Sequence, residues 1–379
     1  MKKVSKFHII IVLILSFLSA LESLSIDLFL PAFVQIADHF DTTSANVQLS
    51  LATFLGGFAI GQLIWGPLSD QYGRKKPLLI SLVVFLIASV LCAHVQSIEQ
   101  LWVMRFIQAV GGCGSIVVAR AIVTDYFDKN KTLSIFAILS LIGGLAPIVA
   151  PIIGNQIIKW GGWQFTFEAM GVLGVIGIFS TWFVLPETLV KTSIKSDNKK
   201  SEKNSVWTNY RNVLRVKQFV INSIIAGLVN GTLMLYIGNA PFLVMDKAKL
   251  SGDVFSIIFA FNALGMMLSA YISSKLQMKY STQKIVIFAS ILMNVFALLF
   301  VVFSQMDVSI YVLLALLFFF VFPMGMLFPT TTDLAMSPFT ENNSGSASSL
   351  FGALQLGIAF LIMTIAGRLT DGSTLSIGL

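Results

Sequence analysis

The sequence predicts an all-α protein that crosses a membrane many times. Three observations lead to this fold class: apolar residues make up 56% of the 379 residues, charged residues only 11%, and the mean hydropathy is +0.85. A typical soluble domain carries about 25% charged residues, and a soluble globule of this composition would expose too much apolar surface to water. A soluble enzyme, a secreted scaffold and a disordered protein are therefore all disfavoured.

Eleven stretches are long and apolar enough to span a bilayer, which takes about 20 residues. They cover residues 9–33, 47–68, 77–94, 101–123, 133–158, 165–185, 219–241, 255–273, 285–303, 311–328 and 346–367. A turn signal follows at residues 368–372, and residues 374–379 then begin another apolar run. Two halves of six spans would need a twelfth helix there, so we expect the chain to be truncated at or near its start. The alternative is a natural protein of eleven spans.

Lysine and arginine residues alternate along the chain between rich and poor segments. Nineteen of the 25 lie in segments that would face one side of the membrane, and three lie in segments that would face the other. The positive-inside rule therefore predicts a cytoplasmic N-terminus. Residues 187–217 are polar and form a predicted cytoplasmic linker between a first half, residues 1–186, and a second half, residues 218–379.

A polar loop between the second and third stretches carries the most specific motif in the chain. It reads GPLSDQYGRKKP over residues 66–77. Gly73 allows a tight turn, and Asp70 lies where a carboxylate can cap a helix N-terminus. The guanidinium of Arg74 can donate two parallel hydrogen bonds to a second carboxylate. A loop that only supplied positive-inside charge would not need glycine, aspartate and arginine in this order.

This order resembles the signature loop of the major facilitator superfamily, G-x-L-x-D-x-x-G-R-[KR], which begins here at Gly66. Arg105 and Gln108 in the fourth stretch resemble the family's R-x-x-Q-x-x-G element, and residues 26–32 are similar to the D-x-x-L-P-A signature of the Bcr/CflA drug-resistance subfamily. Three further segments resemble that subfamily: residues 119–125, 145–151 and 185–188. The second half resembles the family mainly in its span pattern and in the position of the linker.

The resemblance implies a major facilitator fold, in which two six-helix bundles rock about a central site and expose it to each side in turn. By the family pattern, Asp70 would cap the eleventh span near residues 345–349, and Arg74 would pair with Asp125. Together these contacts would hold the cytoplasmic side closed in the outward-facing state. The signature loop is therefore expected to be a gate rather than a binding site.

Ionisable groups inside the spans are few, and each is costly to keep there. We assign Glu22, Asp27 and Arg105 to proton coupling and expect the distance from Arg105 to a first-span carboxylate to change with conformation. The two acids are five residues apart, about 140° around a straight helix, so they share a face only if Pro31 bends that helix. Structural alternatives remain: a backbone hydrogen bond for Asp27, a permanently protonated acid for Glu22 and a structural counter-ion for Arg105.

The predicted substrate cavity combines these groups with aromatic and amide side chains. They lie on spans that line the cavity in the superfamily that the chain resembles. The predicted cavity residues are Glu22, Asp27, Phe54, Phe58, Gln62, Arg105, Gln108, Asn230, Tyr236 and Asn262. Methionine and phenylalanine are abundant in the chain, which suits a wide and adaptable apolar cavity.

The fifth span is rich in small residues and prolines and resembles the antiporter motif of the superfamily. The residues concerned are Gly143, Gly144, Pro147, Pro151 and Gly154. Ala146 and Ala150 stand where glycine is usual, and close helix packing alone explains the pattern equally well.

From these features and the resemblance we expect a proton-coupled antiporter of the bacterial inner membrane that exports small amphipathic compounds, drugs included. Its partners would be the substrate, protons and lipid, and we expect a monomer that binds no nucleic acid. The sequence has no phosphate-binding loop and no zinc-protease motif, so we expect no cofactor, no metal and no enzymatic activity. An exporter of a specific metabolite (an amino acid, nucleoside or siderophore), an uptake symporter and a non-transporting sensor or assembly factor are the alternatives.

Overall fold

The computed structural model describes residues 6–189, 206–306, 308–339 and 344–369. The helices before the linker are α1 (Lys6–Asp27), α2 (Phe33–His39), α3 (Ser44–Tyr72), α4 (Lys75–Ala93), α5 (Ile98–Tyr126), α6 (Lys129–Gly161) and α7 (Gln164–Phe183). Those that follow are α8 (Val206–Leu214), α9 (Lys217–Pro241), α10 (Gly252–Leu276), α11 (Thr282–Ser304), α12 (Ile310–Val321), α13 (Met324–Met336) and α14 (Ser344–Leu369).

Eleven segments of the described chain are long and apolar enough to cross a membrane. Three of them are broken helices, because α1 continues into α2, α9 into a π-helical turn, and α12 into α13. The predicted fold class and the eleven predicted spans are confirmed. The apolar run predicted to begin a twelfth helix, residues 374–379, lies outside the described residues, and the boundaries of the two halves stay predictions.

Three helix starts in the loops opposite the signature loop are capped by serine and threonine side chains. Thr43, Ser97 and Ser251 each accept a hydrogen bond from the backbone N–H three residues further on. Such caps satisfy one of the free N–H groups at a helix start. They fix where α3, α5 and α10 begin.

Each half packs as its own bundle. In the first half α3 and α4 pack along α5, while α1 packs against α5 and α6; in the second half α9 packs against α13 and α14. Trp65 and Trp102 tie α3 to α5, because their indole N–H groups donate to the carbonyls of Val110 (2.6 Å) and Asn46 (2.7 Å). The halves meet along two lines, α3 against α14 and α6 against α10.

The first long helix of each half is broken near the end opposite the signature loop. Helix α1 stops at Asp27, and a short 3-10 turn, Leu30–Ala32, precedes α2. Helix α9 ends at Pro241 and continues as the π-helical turn Phe242–Lys247. Proline at or near these points disfavours continuous α-helix. The two broken ends face each other, with the rings of Phe33 and Phe242 6.0 Å apart.

Cross-half hydrogen bonds are confined to one end of the bundle. Among the described residues, all of them lie towards the end opposite the signature loop. Gln48 donates to Asn239 at 2.9 Å, Asn155 donates to Asp253 at 2.6 Å, and the hydroxyl of Ser256 in α10 donates to a carbonyl of α6. In the part of the chain that the structure describes, hydrogen bonds therefore tie the halves together at that end.

The linker contains a helix that its polar composition did not predict. Helix α8 packs against α14 and α9 at the signature-loop end of the second half. Val213 is buried there, and the hydroxyls of Tyr210 and Ser349 are 3.1 Å apart. Part of the linker is thus attached to the second half.

Candidate functional site

A cavity of about 320 Å³ lies between the two halves. Its walls come from α1 and α6 on one side and from α9, α10 and the end of α12 on the other. Six residues predicted for the cavity or for the fifth-span motif line it: Glu22, Asp27, Gly144, Pro147, Tyr236 and Asn262. The remaining lining side chains are mostly apolar. The broken end of α1 thus borders the cavity directly.

Two carboxylates, Glu22 and Asp27, are the only acidic side chains in the cavity lining. Although the residues are five apart, both reach the cavity, because Asp27 is the last residue of regular helix in α1. Asp27 is only 2% exposed, and no described residue donates a hydrogen bond to either carboxylate. Among the described residues, no backbone N–H donates to Asp27, and its role stays a prediction. The cavity therefore holds two carboxylates that accept no hydrogen bond from any residue the structure describes.

The wall from the second half carries amide, aromatic and thioether groups. The side-chain amide of Asn262 donates a hydrogen bond to the hydroxyl of Tyr236, and this pair links α10 to α9. The rings of Tyr236 and Phe259 are nearly parallel, with their centroids 6.2 Å apart. Met234, Met266 and Met267 add flexible apolar surface. Charge thus lies on one wall, and apolar and amide groups lie on the other.

Arg105 lies behind the first-half wall, fully buried in a cage of aromatic rings. Its guanidinium carbon is 4.2 Å from the ring centroid of Phe54, 4.8 Å from that of Phe29 and 5.7 Å from that of Phe167. One Nη donates to Gln108 at 2.6 Å, while Nε and the other Nη have no partner among the described residues. Cation–π contacts offset only part of the desolvation cost of a buried charge. Arg105 therefore has unused capacity to bind an anionic group.

Several predicted cavity residues do not line the cavity in this structure. Phe54, Phe58, Arg105 and Gln108 are buried inside the first half, Asn230 is buried in α9, and Gln62 lies against Gly352 of α14. The lining instead includes residues that sequence reasoning did not select: Ser23, Ile26, Leu233, Met234, Ile237, Phe259, Ala263, Met266, Met267 and Val321. Their only sequence signal was the overall abundance of methionine and phenylalanine, which does not point to particular positions. The proposed roles of the buried residues remain predictions.

The fifth-span motif lies on α6, which runs unbroken through both of its prolines. Gly144 lies close to Met267 of α10, and Gly154 lies against the backbone of Leu28 beyond the break in α1. The carbonyl of Pro151 accepts a hydrogen bond from Ser256 at 3.1 Å. Gly143 has no neighbour within 4 Å of where its side chain would be. The motif thus packs against the second half and against the broken end of α1.

The signature loop forms the predicted ion pair between Arg74 and Asp125. Nε of Arg74 is 2.7 Å from Asp125, and its Nη1 donates to Asp70 and to Ser69. The side chain of Asp70 is 70% exposed and binds Arg74. Among the described residues, which leave out residues 340–343 directly before α14, none of the second half bonds to Asp70, so its contact with residues 345–349 stays a prediction.

Glu187 supports the signature loop from the end of α7, a role that the sequence did not reveal. Its carboxylate accepts hydrogen bonds from the backbone N–H groups of Arg74 (2.8 Å) and Lys75 (3.1 Å), and so caps the start of α4. Gly73 adopts φ +96°, and a side chain there would come within 2.6 Å of the Glu187 carboxylate. Glycine is therefore required both for the turn and for the approach of this carboxylate.

We expect Glu187→Gln to loosen the signature loop at neutral pH. Burial alone would raise the pKa of Glu187. Hydrogen bonds from four backbone N–H groups lower the pKa by more than burial raises it, so it lies below the ordinary value of 4.5. The stabilisation by Glu187 is therefore complete above pH 4.5 and is lost as the pH falls through the lowered pKa. The protection of the Arg74 and Lys75 amides from exchange, relative to the unprotected rate at the same pH, should fall in the variant at neutral pH and in the wild type only at acid pH. Glu99→Gln, at an exposed carboxylate on α5, is the control; unchanged exchange in Glu187→Gln would contradict the capping role.

Eleven spans arranged as two bundles around a central cavity define a polytopic membrane transporter rather than an enzyme. The sequence model described as Major Facilitator Superfamily matches residues 15–363, so the chain belongs to that family. It is similar to an uncharacterized MFS-type transporter, YdgK, of Bacillus subtilis (strain 168), with 29% identity over 96% of this chain and 89% of the relative.

Two further relatives carry names that refer to drug resistance. The bicyclomycin resistance protein homolog of Haemophilus influenzae is 25% identical over 96% of this chain and 90% of the relative. The multidrug resistance protein MdtL of Shewanella sp. (strain ANA-3) is 29% identical over 91% of this chain and 85% of the relative. These relatives confirm the predicted resemblance to the Bcr/CflA drug-resistance subfamily.

Solved structures support the fold. The D-xylose–proton symporter matches with a TM-score of 0.79 and 13% identity, over 97% of this chain and 91% of that one. A bacterial homologue of the human lysosomal transporter Spinster, in an inward-facing and unoccupied conformation, matches with a TM-score of 0.78 and 15% identity, over 97% and 83%. At these identities the likeness concerns the fold alone.

Proposed function

We propose that this protein is a proton-coupled antiporter that exports small amphipathic compounds, drugs among them, across the bacterial inner membrane. Two carboxylates, Glu22 and Asp27, share one largely apolar cavity between the halves and accept no hydrogen bond from a described residue, which supports this proposal most directly. The names of relatives support export of drugs, including a chloramphenicol resistance protein of Pseudomonas aeruginosa. The protein acts as a monomer with its N-terminus in the cytoplasm.

In the proposed cycle, protons and substrate compete for the same carboxylates. We infer that this conformation faces inward, because the cross-half hydrogen bonds of the described residues lie at the end opposite the signature loop. A substrate that enters from the cytoplasm displaces a proton from Glu22 or Asp27. The halves then rock, the substrate leaves on the outer side, and a proton from that side returns the carrier.

The remaining predicted residues act on the conformational change. In the outward-facing state Asp70 would cap α14, while the pair Arg74–Asp125 holds the loop in place. Arg105 would then approach a first-span carboxylate with the N–H groups that are unpaired here. The small residues of α6 let the two halves slide against each other.

A second candidate is an exporter of one specific metabolite. The hydrogen bond between Asn262 and Tyr236 favours this candidate. A fixed polar pair on the second-half wall can select a substrate by the direction of its hydrogen-bonding groups as well as by its size. A narrow substrate profile would support this candidate, whereas a broad one would support drug export.

Substrate-driven proton release from the purified protein in detergent tests the proposal. Lipophilic cations and neutral antibiotics are added to weakly buffered protein, binding is followed by tryptophan fluorescence, and the pH is recorded. We expect compounds that bind to acidify the solution. Asp38→Asn, at an exposed acid on α2, is the matched control and should behave as the wild type. Binding without proton release would contradict antiport, and counterflow in proteoliposomes with an imposed pH gradient then distinguishes export from uptake.

A further inference from the structure

Two helix ends from different halves meet at the outer end of the bundle. The carboxylate of Asp253, in the first turn of α10, accepts hydrogen bonds from Asn155 at 2.6 Å and from Lys159 at 2.7 and 2.8 Å. Gln156 donates to the same carboxylate at 3.4 Å. Within the part of the chain that the structure describes, Lys159–Asp253 is the one ion pair that joins the two halves.

Each charge in this pair is also favourable on its own helix. Lys159 lies in the last turn of α6, near the partially negative C-terminal end, and Asp253 lies in the first turn of α10, near the partially positive N-terminal end. When the helices separate, each charge is therefore still stabilised by the dipole of its own helix. The side chains are about half exposed, at 48% and 52%, so the pair contributes modestly and can break and re-form.

The backbone permits this approach only because α10 begins with glycine. A side chain at Gly252 would come within 2.2 Å of the Asn155 amide oxygen. One turn further in, the hydroxyl of Ser256 reaches the carbonyl of Pro151 in α6. The two helices are thus in close contact along their outer turns.

We propose that Asn155, Lys159 and Asp253 form an outer clasp, which holds the outer side of the cavity closed and must open before the outward-facing state can form. This inference rests on the proposed alternating-access transport. A second, uncharged tie, formed by Gln48 with Asn239, joins α3 to α9. The outer clasp is the part of the closure that responds to charge and to ionic strength.

The test measures the distance across the outer side with spin labels at Glu99→Cys and Gln305→Cys in lipid nanodiscs. Both positions are exposed at the outer end, one in each half, and neither belongs to the outer clasp. We expect Asp253→Asn to raise the ratio of long to short distances about threefold to tenfold, as the loss of one exposed ion pair with its hydrogen bonds implies. Lys159→Gln should act in the same direction and serves if Asp253→Asn does not fold.

The matched control is Asp246→Asn. Asp246 pairs with Lys249 at 3.0 Å on the same outer surface but within one half, so its loss should leave the distances unchanged. High salt should shift the wild type towards the long distance and should have less effect on Asp253→Asn. The double exchange Lys159→Asp with Asp253→Lys should restore closure only in part, because each charge then opposes its own helix dipole.

Unchanged distances in both Asp253→Asn and Lys159→Gln would overturn the outer clasp, whatever the transport activity. A wild type that opens and closes on the outer side but releases no protons on substrate binding would instead contradict the proposed antiport and leave the outer clasp in place. The two failures are therefore distinguishable.

Discussion

Asp27→Asn should abolish substrate-driven proton release and uphill export while substrate still binds. Asp27 is almost fully buried, lines the cavity and ends the regular part of α1, directly before the broken segment that contacts the second half. We therefore expect a change in its protonation to act both on the substrate and on this broken segment. Asparagine keeps the size of the side chain but carries no exchangeable charge.

The size of the effect follows from the energy of the proton gradient. One pH unit supplies about 1.4 kcal/mol per proton, which corresponds to a tenfold substrate gradient for each coupled proton. We expect wild-type proteoliposomes to follow this dependence and Asp27→Asn to show no response to the imposed pH gradient.

Glu22→Gln provides the comparison within the same cavity. Glu22 lies further from the break in α1, so we expect weaker binding of cationic compounds with coupling retained. Full coupling in Asp27→Asn together with its loss in Glu22→Gln would reverse the assignment. Full coupling in both variants would contradict the proposed carboxylate mechanism.

Arg105→Met should eliminate transport while the protein stays as stable as the wild type. Two guanidinium nitrogens of Arg105 are buried without a partner among the described residues. An apolar side chain of similar length removes the desolvation cost of these nitrogens. Methionine also forfeits the cation–π contacts, worth about 2 kcal/mol when desolvated, and leaves Gln108 without its donor, a loss of about 1–3 kcal/mol. These terms nearly cancel, so we expect the melting temperature to change by only a few degrees, about 2–4 °C per kcal/mol.

Measuring stability and transport on the same variants distinguishes the two roles considered for Arg105, which are proton coupling and a structural counter-ion. Thermal unfolding is followed in detergent, and export is followed in proteoliposomes, for Arg105→Met and for Arg105→Lys. Lysine keeps the charge but lacks the planar fork, so partial transport is expected. Arg368→Met, at an exposed arginine at the end of α14 opposite the signature loop, should change neither quantity. A fall of more than about 10 °C in melting temperature with Arg105→Met would instead identify a structural counter-ion.

The sequence predicted the features that depend on local composition or on short motifs. The eleven spans could be predicted from the lengths of the apolar segments, because a helix must be long and apolar enough to cross the bilayer regardless of how the helices pack. The pair of Arg74 with Asp125 was also predictable, but only through the resemblance to a family, since 51 residues separate the two. The role of Glu187 was missed, because nothing local indicates that the end of α7 returns to the start of α4.

The direction in which each side chain points could not be read from the sequence. Helices inside a membrane are apolar on all sides, so hydrophobic periodicity does not distinguish the face towards the cavity from the face towards lipid or a neighbouring helix. Phe54 and Phe58 were predicted to line the cavity and are buried in the first half, whereas Phe259 and Met266 line it.

By itself the sequence determined the class of protein, the eleven apolar spans and the identity of the few charged groups inside them. Only the tertiary structure decided that Glu22 and Asp27 share one cavity, that Arg105 lies in an aromatic cage away from them, and that Asp253 joins the halves. The physical reason is that these facts depend on how separate helices pack and where α1 breaks. Lys159 and Asp253, for example, are 94 residues apart in the chain, and only the approach of α6 to α10 brings them together.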